Sequence, residues 1–109
     1  MTLTDIAHTL KATGLPVAYD HYAEGESPKP PFLVYLYPSA DDFSADGKNY
    51  CRINLLHVEL YTDIKSPQVE GAVETVLEEH DFFYTKSETW IPEEKLYEVL
   101  YTMEVLIDG

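Results

Sequence analysis

Several kinds of residue are scarce in this chain, and each scarcity closes off a class of function. Cysteine occurs once, at Cys51, so no disulfide forms within the chain. That removes the usual staple of small secreted domains and fits a reducing compartment. Set among alternating strand residues, Cys51 reads as a small buried hydrophobe and not as a nucleophile. Five glycines leave little material for a phosphate-cradling loop, and GxSxG, HExxH and paired CxxC motifs are all missing. The histidines His8, His21, His57 and His80 fall on four different expected elements, so neither zinc nor acid–base catalysis has a local signature. No apolar run reaches the length of a membrane-spanning helix, and "MTLTDIAHTL" lacks the basic-then-apolar order of a signal peptide. Positive charge is scarcest of all: seven Lys and Arg stand against twenty Asp and Glu, a formal net charge of -13. Such a surface repels phosphate, which makes nucleic acid a poor candidate for a tight ligand but leaves contact with a basic protein, or proximity to DNA that must not stick.

What remains is enough for one packed domain, expected to span residues 1–109, since 45% of the residues are hydrophobic. Nine tyrosines suit surfaces that are half buried or covered later by a partner, and they are also good strand formers. "TLTDIAHTLKATG" places Leu3, Ile6, Ala7 and Leu10 on one helical face, with Thr2 or Thr4 as N-cap and Gly14 as the stop. "LPVAYDHY" suits a short strand, and the proline-rich "AEGESPKPP" breaks regular structure. "FLVYLYP" reads as a strand ending at Pro38. In "YCRINLLHVELYT" both alternating faces carry apolar residues, as in a central strand covered at least partly on each side.

At "SPQVEGAVETVLEEHD" the period changes from two to about 3.6. Ser66 is the natural N-cap, Pro67 the first helical position, and Val69, Ala72, Val73, Val76 and Leu77 the inward stripe. Glu70, Glu74 and Glu78 recur four apart with no Lys or Arg between them, which reads as a solvated outer face or an acidic functional one. "FFYTKSETW" and "KLYEVLYTMEVLI", joined by "IPEEK", read as antiparallel neighbours, the second with Tyr97, Val99, Tyr101, Met103, Val105 and Ile107 on one face. The expected class is α+β: a mainly antiparallel sheet of about four to five strands with an N-terminal and a central helix packed on it.

One stretch carries a motif-like spacing. In "DDFSADGKNYCRI", Asp42, Ser44, Asp46 and Gly47 match the start of an EF-hand calcium loop. The position that must supply the closing bidentate carboxylate is Ile53, which has no side-chain oxygen. The stretch therefore reads as an acidic loop with a tight turn at Asp46-Gly47, and a calcium-binding interaction module at 41–49 is the alternative.

The order of these features resembles the small tail-completion and tail-terminator (head–tail joining) proteins of long-tailed bacteriophages and prophages. The resemblance runs over residues 3–107, through "SADDFSADGKNYCRINLLHVELYTD", "PQVEGAVETVLEEH" and "WIPEEKLYEVLYTMEV". It implies a non-enzymatic structural subunit without cofactors, forming a ring, commonly of six copies, where the tail tube meets the head connector. Its partners would be further copies of itself, tail-tube and connector proteins, and DNA that passes without being held; another minor tail component is the alternative within this class. It would assemble in the bacterial cytoplasm, away from membranes, and end in the neck or tail of the virion. Under this resemblance the candidate assembly loop is Asp41, Asp42, Phe43, Asp46, Lys48 and Tyr50, and Glu70, Glu74 and Glu78 are candidates to face the lumen.

Overall fold

The computed structural model describes the backbone of residues 1–23, 25–45 and 48–108, and the side chains of 1–23, 25–39 and 53–107. The elements are α1 (Leu3–Lys11), β1 (Val17–Tyr19), β2 (Phe32–Ala45), β3 (Lys48–Thr62), α2 (Pro67–Glu79), β4 (Tyr84–Ile91) and β5 (Leu96–Asp108). They form one five-stranded sheet of order β1-β2-β3-β5-β4, antiparallel throughout except where β1 runs parallel to β2. The expected α+β class, with a mainly antiparallel sheet and two helices, is the class observed.

Both helices start where side chains satisfy their first free N–H groups. Thr2 and Asp5 form a reciprocal capping box on α1, and Ser66 accepts from the Val69 N–H on α2, with Pro67 at the first helical position. Gly14, at φ +82°, takes the left-handed turn just past α1. At the end of α2 a non-glycine residue does the same: Asp81 sits at φ +60°, while the Phe82 N–H reaches back to the Leu77 carbonyl.

Register decides which face each strand buries. Leu56, Val58 and Leu60 of β3 stand opposite Met103, Tyr101 and Val99 of β5, and Leu60 also opposes Leu33 of β2. These residues, with Ile6 and Leu10 of α1 and Val73 and Leu77 of α2, make the core. The helices thus cover one face of the sheet. On the other face Ile53, Leu55, His57, Glu59 and Tyr61 of β3 are only half buried, and Leu106 of β5 is 56% exposed. The segment between β1 and β2 folds over one end of this outer face, where Phe32 and Val34 are buried.

Three expectations are corrected. β2 does not stop at Pro38 but runs on to Ala45, paired with β3 through a register shift between Leu36 and Ser39. Proline has no N–H to give a ladder, and a bulge is where a strand tolerates that. Asp41, Asp42 and Phe43 therefore lie on strand β2, and Lys48 and Tyr50 on β3, instead of in a loop. In α1 and α2, Leu3 and Ala72 are exposed although both were expected on the inward face, while Thr9 and Glu70 are buried.

Candidate functional site

The most connected polar cluster lies where α2 meets β4. Glu70 was expected on a solvated outer face; it is 3% exposed and packs against the sheet. Two lysines meet it there, Lys65 Nζ at 2.6 Å from Oε2 and Lys86 Nζ at 2.8 Å from Oε1. Lys65 also binds Glu88 of β4, and Lys86 lies 2.8 Å from Glu74 Oε2. The same Glu74 oxygen accepts from the Tyr101 hydroxyl at 2.7 Å, and Glu78 accepts from Tyr84 at 3.1 Å. Burial alone would push the Glu70 carboxyl up, but the hydrogen bonds from Lys65 and Lys86 outweigh it and hold the group below its ordinary range. Lys86 is held above the ordinary lysine range by Glu70 and then Glu74. In the four-residue spacing that looked like an unpaired acidic stripe, Glu70 and Glu74 are therefore matched by lysines from outside the helix and Glu78 by the Tyr84 hydroxyl. Only Glu78 of the three is exposed, with Glu74 between.

A second cluster is aromatic and sits at the β1 edge. Tyr19, Tyr35 and Tyr37 pack ring on ring, with centroids 5.3 to 6.2 Å apart. With Leu3 they line a cleft of about 290 Å³. Burial, then the neighbouring Tyr35 and Tyr19, pushes the Tyr37 hydroxyl up to about 12.

The third cluster combines rings with acids on the outer face. Tyr22, Phe32 and Tyr61 pack in a row, each neighbouring pair of centroids 5.3 Å apart. They line a groove of about 220 Å³ together with Asp20, Glu59 and Glu94. The Tyr61 hydroxyl donates to Glu59 Oε1 at 2.9 Å, and Glu98 stands opposite Tyr61 on β5. Burial, then Glu59 and Glu94, raises the Glu98 carboxyl above its ordinary range. Burial and the bond to Glu59 raise the Tyr61 hydroxyl too. Sequence reasoning missed this groove, because its residues come from the β1–β2 segment, three strands and the β4–β5 turn.

Among the described residues no group of three or more His, Cys, Asp or Glu is arranged to hold a metal ion. The side chains of the expected calcium-loop residues Asp42, Ser44 and Asp46, and the Asp46-Gly47 turn itself, lie outside the described residues, as does the Cys51 side chain. Of the candidate assembly residues, Asp46 is wholly outside them, and Asp41, Asp42, Phe43, Lys48 and Tyr50 are placed by backbone alone. No described helix is long and apolar enough to cross a membrane.

The fold has a counterpart among solved structures. A chain in the virion of a native gene transfer agent particle superposes with a TM-score of 0.69, over 99% of this chain and 96% of that one. The two share a fold. Their sequences are only 10% identical, so the likeness lies in the path of the backbone. No family model matches the sequence, and no curated protein matches it either.

Proposed function

We propose that the chain is a non-enzymatic structural subunit of a phage-like virion, acting as a ring-forming terminator of the tail tube at the junction with the head. The single observation that carries this reading is the shared fold with a virion chain over nearly the whole of both proteins. The resemblance of the sequence to tail-completion proteins points the same way independently. The domain is taken as one unit, residues 1–109.

Two features suit such a role. β1 pairs only with Leu33–Tyr35, so β2 from Leu36 to Ala45 has β3 on one side and no strand on the other among the described residues. An unpaired strand edge is a template for another chain, and Asp41, Asp42 and Phe43 lie along it. Lys48 and Tyr50 on the paired strand, and Asp46 between, complete the proposed assembly surface. The net charge of -13 suits a channel wall that DNA slides past, because carboxylates release no counterions from it. Of Glu70, Glu74 and Glu78, Glu78 is the exposed one and the candidate to serve there; Glu70 is committed to its lysines.

The test is the native mass of the purified full chain, by sedimentation across a concentration series. A closed oligomer, with six copies as the first expectation from the resemblance, supports the ring. A monomer at every concentration removes a ring that assembles unaided.

A further inference from the structure

Among the described residues, no lysine, arginine or histidine forms an ion pair with Glu59 or Glu94 of the ring-and-acid groove, or with Glu98 beside it. Glu59 and Glu94 add to burial in raising the Glu98 carboxyl, all three add to burial in raising the Tyr61 hydroxyl, and no cation is among the groups that shift either. Of the groove's carboxylates, Asp20 has a basic partner among the described residues, His21 Nδ1 at 2.8 Å. Three aromatic rings line the same 220 Å³ groove. Carboxylates beside ring faces recognise one kind of group best: a flat cation that stacks on rings while its N–H donors reach carboxylate oxygens.

We propose that this groove docks an arginine side chain presented by a basic segment of a different protein, stacked against the half-buried Tyr22 and Tyr61 rings and paired with Glu59 and Glu94. A lysine would supply the charge but neither the plane nor the fork. The charge balance selects a different protein over a second copy. The chain has seven Lys and Arg in all against twenty acids, and Lys65 and Lys86 are engaged with its own carboxylates. Two copies approaching through this face would bring like charges together. The proposal does not depend on the ring reading, and either stands without the other.

The experiment is an NMR titration of the full chain with N-acetyl-arginine amide, and with the citrulline analogue, which keeps the shape but loses the charge. Saturable shifts at Tyr22, Phe32, Tyr61 and Glu98 are expected with arginine and not with citrulline. The Glu59→Gln/Glu94→Gln double variant, checked for an unchanged fold by circular dichroism, should bind about tenfold more weakly. Glu94 is exposed in the β4–β5 turn and Glu59 is half buried on the face away from the helices, so the variant is expected to fold. No saturable shift, equal shifts with citrulline, or shifts spread evenly over remote acids such as Glu79 would overturn the proposal. So would an oligomer that falls apart in the double variant, since a second copy would then be the occupant.

Discussion

Glu70 keeps a charge at 3% exposure because two ammonium groups meet it, each within 2.8 Å. Removing one partner of such a group leaves the others unpaired in a poorly solvated place. Glu70→Gln should lower stability at neutral pH by about 2 kcal/mol in urea unfolding, less than for a fully buried pair because both lysines reach solvent. The carboxyl is held below its ordinary 4.5, so its contribution is complete above that pH and is lost as pH falls through the lower folded value. The gap between parent and variant should therefore close in acid. A gap that stays constant from neutral pH to pH 3 would mean that shape and not charge is what matters. Glu98 works in the opposite sense. Its folded carboxyl titrates above 4.5, so ionisation costs stability as pH rises from 4.5 through the raised value. Glu98→Gln should then raise stability at neutral pH by roughly 0.5 kcal/mol and give no gain at pH 4. A loss at neutral pH would contradict this.

At the scale of elements, caps and alternation were legible in the sequence because they are local. Thr2, Ser66 and Pro67 mark helix starts through groups within three residues, and Val99, Tyr101, Met103, Val105 and Ile107 share a face through a period of two. Distant matters were not legible. The side of α2 that Glu70 occupies depends on Lys65 in a connecting loop and Lys86 on β4, and the continuation of β2 past Pro38 depends on β3 continuing beside it. The ring-and-acid groove was invisible for the same reason. The end of α2 was also unmarked, since Asp81 holds a left-handed position that sequence reading assigns to glycine. Asp81→Gly should stabilise by roughly 0.5–1 kcal/mol, read as a higher urea midpoint. A lower midpoint would show that the Asp81 side chain has a role that outweighs its backbone cost.

At the scale of the molecule four of the five strands form two antiparallel pairs of consecutive strands, β2–β3 and β4–β5, joined along one seam between β3 and β5, with β1 added at the β2 edge. Leu56, Val58 and Leu60 meet Met103, Tyr101 and Val99 across that seam, so the core is complete only when it closes. Closing it brings together the chain on either side of α2, from Thr62 to Tyr97, and that loop entropy must be spent before the contacts repay it. A Gly/Ser insertion of about thirty residues beside the exposed Ile64 roughly doubles the segment and should slow folding about threefold in stopped-flow measurements. The unfolding rate should stay the same, and an unchanged folding rate would refute seam closure as the barrier. The seam also sets an order of events on the ribosome. α1 and the β2–β3 hairpin emerge first and α2 next, but the β3 edge that pairs with β5 stays open until Leu96–Asp108 has been made. Synthesis therefore leaves an open strand edge waiting for its partner, the kind of template on which another chain can pair before its own strand arrives.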